Sequence, residues 1–484
     1  MILWLTDYMW RFRISNRDKP SLLVIDIGKT NCKLSLLDGN GAVKIKLITP
    51  NPVDHDGLYP AFATDALWAW ILTGLAEIAK LEIINFICVA THGAAAALVN
   101  PKLSDSGLAL PILDYEWDGV CEFDADYESI RPDFAETFSP GLSAGLNLGR
   151  QLYWQSRKYP TQFRSVTYIL PLAQYWSWRL SGTASCEISA LGTHTDLWNP
   201  VRKTWSSMVL GQGWQDKFAP LSPAWWPVGT ILPALATQTG ISTNCQILTG
   251  VHDSNAGYAR FLNLQGGEKP TLVSTGTWAI SMCPEGDMKQ LDPARDMLVN
   301  VDVTGTPIAC ARFMGGREYE KICELSQADL DGAISVEDVA ALITDGIFAI
   351  GDFSNGLGPV AGQSGRLIGQ AENGRALATM TAALMIDLEL ELLGANGPVV
   401  IEGNFARNSI LCELVATLRP KQKIRKLLNP DGIAQGCFRL LHWQNKKMPE
   451  PKQLDCKPLR LDQLDQYRNQ WRQFTHETPV TQNA

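Results

Sequence analysis

Apolar and polar positions along the 484-residue chain fall into two repeating textures. Short apolar runs broken by Gly, Asn or Lys read as buried strands joined by turns. The clearest begins at Leu22-Leu23-Val24-Ile25-Asp26-Ile27, turns through Gly28-Lys29-Thr30-Asn31 and returns as Cys32–Leu37 to the turn signal Asp38-Gly39-Asn40-Gly41. It predicts a hairpin with a small polar tip. Longer stretches carry apolar residues three and four apart and predict helices. They cover residues 61–80 (Leu67, Ile71, Leu75, Ile78), 141–158 after a small, Gly-rich start, and Leu170 to Gly182 with a closing glycine. Two more lie at 373–395 (Leu377, Met380, Leu384, Leu388, Leu392) and 408–418. The two textures alternate, which places the chain in the α/β class.

The pattern also repeats. Thr271-Leu272-Val273-Ser274-Thr275-Gly276-Thr277-Trp278-Ala279-Ile280 is a near-copy of the first hairpin, with Gly276 standing where Gly28 stands. The buried run Ile84–Thr91 ends at His92-Gly93, and Pro398–Glu402 ends at Gly403-Asn404, in the same order within each half. Two divergent copies of one unit, each presenting a hairpin tip to a shared cleft, account for this order. The length agrees, because one core stops growing beyond about 250–300 residues. The expected partition is an N-terminal extension 1–19, a first domain 20–246, a second 247–448 and a polar tail 449–484.

Composition narrows the partners. A net charge of −8 offers no general attraction to nucleic acid or anionic lipid, and no apolar run reaches the ~20 residues of a membrane span. A small-molecule partner is expected, with neither nucleic acid nor membrane. The eleven cysteines are scattered singly, without a C-x-x-C pair, as expected of reduced structural thiols in a cytoplasmic protein. The six histidines show no metal-ligand spacing.

The central chemistry lies at Gly250-Val251-His252-Asp253-Ser254-Asn255-Ala256-Gly257, after the β-like run Cys245–Thr249. Small residues suit a helix start packed beneath a pocket, and Asp253 at its mouth, beside a histidine, can take the proton of an attacking hydroxyl. The plainer reading of a lone aspartate is a helix cap. Around the first tip, Gly28 permits close backbone approach, Thr30 and Asn31 add donors, and Lys29 and Lys33 add charge, so the tip suits a phosphate. Asp26 beneath it suits Mg²⁺ through water. Thr275, Gly276 and Thr277 form the matching tip. Two tips flanking a polyphosphate make a nucleotide clamp.

These residues carry a resemblance. Asp26–Asn31, Gly250–Asp253 and Ser274–Trp278, in this order and spacing, resemble the FGGY family of carbohydrate kinases over roughly residues 20–445. The resemblance implies the duplicated actin-like, ribonuclease-H-like fold, two domains with nucleotide and substrate in the cleft between them. It also implies ATP and Mg²⁺ as cofactors, Asp253 as general base, and Gly403, Asn404 and Asn408 as the adenosine segment. A sugar would contact His92, Asp114, Glu116 and Trp117 on the first domain, residues chemically suited to hydroxyls and stacking. His252, with Thr277-Trp278, is similar to the branch that phosphorylates deoxyketoses such as L-rhamnulose and L-fuculose. Homodimerisation is kept open.

The chain departs from the family at Lys29, where Thr is usual, and at Glu402, where the adenosine segment usually has its first glycine. Gly358–Gly365 stands where the family carries a longer signature. The expected activity is ATP-dependent phosphorylation of a ketose or polyol hydroxyl. The alternatives are an actin- or chaperone-like ATPase and a sugar- and nucleotide-binding regulator without catalysis.

Overall fold

The computed structural model describes residues 19–354, 357–428 and 431–476, so nearly all of the extension 1–19 and the last eight residues of the tail lie outside the described residues. The first sheet is built on Leu22–Ile27 (β1), all six residues buried. Asn31–Leu37 (β2) pairs antiparallel to β1, and Val43–Pro50 (β3) antiparallel to β2. Phe86–Thr91 (β4) lies parallel on the other side of β1, Ile27 facing Thr91. Pro227–Thr230 (β5), Gln246–Leu248 (β6) and Val251–His252 (β7) complete it, β6 and β7 both pairing parallel with β4. The first sheet therefore ends at His252, beyond the expected boundary at 246. Gly250 breaks β6 from β7 at φ +90, where an added Cβ would lie 3.0 Å from the Val89 carbonyl.

The second sheet repeats the plan. Thr271–Thr275 (β8) and Ala279–Cys283 (β9) form its hairpin; Met297–Val301 (β10) and Pro307–Phe313 (β11) extend it antiparallel. Val399–Gly403 (β12) lies parallel to β8, Thr275 facing Gly403, and Ile424–Lys426 (β13) follows in parallel. The order β3-β2-β1-β4 thus recurs as β11-β9-β8-β12. Leu454–Asp455 (β14) adds an edge to β13.

Helices fall close to the periodic stretches. Thr64–Ala79 (α1), Leu148–Lys158 (α2) and Leu172–Ser181 (α3) occupy the first half, α3 closed by left-handed Gly182. Asp253–Ala259 (α4) leads from the first sheet into the second half. Gly315–Leu325 (α5), Gly374–Leu392 (α6), Ser409–Leu418 (α7) and Gly432–Leu441 (α8) follow. Asn373 and Asn408 cap α6 and α7 with their side chains, as short polar residues do at helix starts. Each half has its own core, and a third apolar layer joins Leu22, Val24, Cys88, Val251 and Tyr258 to Leu272, Met282, Val400 and Phe438.

The polar tail is partly structural. Leu464–His476 (α9) returns to the second core, burying Tyr467 and Trp471, whose Nε1–H donates to the Ala349 carbonyl at 2.9 Å. Sparse apolar residues concealed this packing, because one helix face carries it. Among the described residues no helix is long and apolar enough to cross a membrane.

Candidate active site

The parallel strands β1, β4 and β7 end side by side, so Asp26 to Gly28, His92 and Asp253 emerge at one edge of the first sheet. Open α/β sheets bind ligands at that edge. The second hairpin faces it across a cleft of about 810 Å³ lined by Asp26, Gly28, Lys29, Thr30, Asn31, Lys33, His92, Glu116, His252, Asp253, Gly276 and Thr277. The fold thus gathers most of the expected residues from both halves.

Asp253 opens α4, and its Oδ1 accepts from Ser254 N–H at 2.6 Å and Ser254 Oγ at 3.3 Å. Burial raises its pKa above the ordinary carboxylate value, opposed by His92, by Ser254 and by Lys33. His252 is 6% exposed, with Nδ1 at 3.1 Å from the Asn255 amide nitrogen and Nε2 at 3.4 Å from Asp253 Oδ1. Burial pushes its pKa down to about 4, so the ring is neutral.

His92 donates from Nδ1 to the Gly93 carbonyl at 2.7 Å, which leaves Nε2 a bare acceptor, buried and without a protein partner. Its pKa is lowered, chiefly by burial. Asp26 faces Lys33 across the hairpin at 3.1 Å. Burial raises its pKa, Lys33 lowers it and Asp253 raises it further.

At the tips some groups are already committed within the protein. The Gly28 and Gly276 N–H groups close their own turns, onto Asn31 O at 2.9 Å and Trp278 O at 2.8 Å. Among the described residues the N–H groups of Lys29, Thr30 and Thr277 have no partner and are the available donors. Thr275 does not face the cleft with its hydroxyl, which donates to the Glu402 carbonyl and accepts from Phe405 N–H at 3.0 Å. It pins the loop after β12. Gly403 there has φ +84, and a Cβ would fall 1.8 Å from the Thr275 carbonyl oxygen, so only glycine fits.

Gly403 borders a smaller cavity of about 200 Å³ shared with Asp26, Lys33, Ser274 and Glu402. Asn404, exposed, follows it. Asn408 is engaged elsewhere: its Oδ1 accepts from Leu411 N–H at 3.1 Å and its Nδ2 donates to Thr379 Oγ1 at 2.9 Å. Asn408→Ala should therefore cost stability, about 1–2 kcal/mol by chemical denaturation, through the lost cap. MgADP affinity measured by calorimetry should change little.

On the first-domain wall, Trp117 leaves the cleft. Its N–H closes a turn on the Asp114 carbonyl, and the ring packs 5.9 Å from Tyr59 and 5.0 Å from Trp154. Asp114 is buried and pairs with Lys29, while Glu116 is half exposed and lines the cleft. Among the further lining residues not expected from sequence are four polar or aromatic side chains, Tyr115, His194, Arg312 and Arg317. Arg312 lies 4.6 Å over the Trp278 ring and 3.0 Å from Asp296. His194 holds φ +33, and its Nδ1 lies 2.9 Å from the Leu146 carbonyl oxygen. Only the neighbouring Trp278 had marked this region in sequence.

Two sheets of one topology, facing hairpin tips and a carboxylate between them define the duplicated actin-like, ribonuclease-H-like fold with an interdomain cleft. A carbohydrate kinase from Novosphingobium aromaticivorans has the same fold, with a TM-score of 0.84 and 34% identity, covering 95% of this chain and 99% of that one. Residues 267–450 match the carbohydrate kinase FGGY C-terminal domain, and the chain belongs to the FGGY carbohydrate kinase family. An L-fuculokinase from Salmonella typhi is 24% identical over 277 residues, 55% of this chain and 57% of that protein. The matches span about half the length of such curated relatives. A xylulose kinase from Lactobacillus acidophilus, 12% identical with TM-score 0.73 over 94% and 96% of the two chains, shares the fold.

Proposed function

We propose that the chain transfers the γ-phosphoryl group of ATP to a hydroxyl of a ketose or polyol, with deoxyketoses such as L-rhamnulose and L-fuculose as the first candidates. The observation that carries this is Asp253, a carboxylate with a raised pKa at the junction of both phosphate tips and the acceptor wall. The L-fuculokinase likeness supports the choice of deoxyketoses.

In this mechanism Asp253 orients the acceptor hydroxyl and takes its proton as the oxygen attacks phosphorus. His252 packs beside the carboxylate, its Nε2 3.4 Å from Asp253 Oδ1, and His92 Nε2 accepts from a sugar hydroxyl. Thr30 and Thr277 N–H donate to phosphate oxygens from opposite sides, and Lys33 adds positive charge. Asp26 is the metal-side carboxylate. Among the described residues no group of three or more His, Cys, Asp or Glu could cage an ion. A single buried carboxylate beside the phosphate path fits Mg²⁺, which keeps its waters and binds with the polyphosphate. When bound, that ion neutralises phosphate charge.

ADP release from MgATP against a panel of ketoses, polyols and sugar acids tests the reading. One neutral sugar should stimulate release strongly and accumulate as its phosphate. Equal nucleotide turnover with and without every sugar would point instead to an ATPase.

A further inference from the structure

Lys29 stands on the first phosphate tip, but its side chain turns to the first-domain wall. The ammonium pairs with Asp114 and lies 3.6 Å from Glu116 Oε2. It sits 5.1 Å from the Phe62 ring and 5.0 Å from the Tyr115 ring. The same two rings flank His92, at 5.0 and 5.3 Å. Asp114 is only 6% exposed; its N–H donates to the Pro60 carbonyl at 2.9 Å, and its Oδ1 accepts from Glu116 N–H at 3.2 Å. One cation thus meets two carboxylates, and the surplus negative charge falls on Glu116, whose side chain is 54% exposed into the cleft.

We infer that Lys29 is a positioning and specificity-determining residue for the acceptor: it fixes the turn Asp114–Trp117 so that Glu116 presents its carboxylate to the hydroxyls of a neutral polyhydroxy substrate. The inference rests on the kinase reading above. Three arguments favour it over a phosphate contact. The ammonium already has its anionic partners and two ring faces, which hold a cation well when desolvated. Withdrawing it toward phosphate would strand Asp114, a buried carboxylate, without a counterion, one of the costlier defects a fold can carry. The free backbone N–H groups at the tip, Lys29 among them, already supply phosphate donors without the side chain.

Glu116 then bears on the substrate class, in a cleft that Arg317 and Arg312, the latter paired with Asp296, also line. A carboxylate accepts from adjacent hydroxyls and repels an acidic sugar, and Asp253 lies in the same cleft. Neutral ketoses and polyols fit this wall; aldonic and uronic acids do not. The arrangement also ties the phosphate tip to the acceptor turn through one side chain, so the two sites share a rigid element.

The test compares wild type with Lys29→Met, Lys29→Arg and the double variant Lys29→Met/Asp114→Asn, measuring acceptor KM, kcat, MgADP dissociation constant and thermal unfolding. Lys29→Met should raise acceptor KM about tenfold while the MgADP constant stays within about twofold. Lys29→Arg should recover most of the acceptor affinity. The double variant, with no stranded carboxylate, should regain the thermal stability lost in Lys29→Met but keep the raised KM. A weakened MgADP constant with unchanged acceptor KM would overturn the inference, as would wild type accepting sugar acids as well as neutral sugars. If no sugar of either class stimulates the wild type, the kinase reading falls and this assignment with it.

Discussion

Asp253→Asn should lower kcat by about 10²–10⁴-fold, the usual contribution of a positioned general base. Asparagine keeps the shape and the hydrogen bond from Ser254 but cannot take the proton. MgADP should bind nearly as before, because the proposed phosphate donors lie on the tips. Two pH effects accompany this. In the wild type the base works only ionised, so kcat/KM should fall in acid with a midpoint above the ordinary carboxylate value of 3.8. Stability runs the other way. A carboxyl whose pKa is raised in the folded state binds its proton more tightly there than in the unfolded chain, so its ionised form costs native stability above the folded pKa. The neutral amide removes that cost. Asp253→Asn should therefore melt higher than wild type at neutral pH, with the gap closing as pH falls toward 3.8. A variant that loses turnover and also melts lower would mean that Asp253 serves mainly as a structural cap.

Restoring the family's glycine at position 402 should destabilise the protein. Glu402 is 7% exposed and pairs with Arg260, itself 4% exposed and also bound to the Gly257 carbonyl at 2.7 Å. Glu402→Gly leaves that guanidinium buried with one partner gone, a loss of about 3–5 kcal/mol when a buried pair is broken on one side. Replacing both residues by apolar ones of similar volume, Arg260→Met with Glu402→Leu, should return most of it, read by denaturant unfolding. Should Glu402→Gly prove as stable as wild type, the pair is not the reason for the departure. The pair links Arg260, just past α4, to β12 and borders the smaller cavity, so it braces the strand that carries Gly403.

Much of this was legible from residue order alone. Gly28 and Gly276, each between apolar runs, disclosed the duplication, and the position of Asp253 at the cleft followed from its place after a buried strand. Local chemistry sufficed because a hairpin tip and a strand end are set by near neighbours. Partners distant in sequence were not legible. Lys29 meets Asp114 and Glu116, Thr275 meets Glu402 and Phe405, and Trp117 meets Tyr59 and Trp154; in each case a suitable residue type is committed to a contact that only the fold creates. Asn408 shows the opposite: an asparagine just before an apolar helical run is a cap by local chemistry alone. The α9 helix was missed because its buried face amounts to a few side chains in a polar run.

The pairing of β6 and β7 with β4 sets an order of assembly. Residues 92–245 intervene between neighbouring strands of one sheet, so this ladder is among the most non-local in the chain, and its closure must await a long excursion. Asp253 follows immediately after β7. Asp253 therefore reaches its place only when the last parallel strands dock, and recovery of turnover should trail recovery of helical signal when the denatured chain is diluted into buffer.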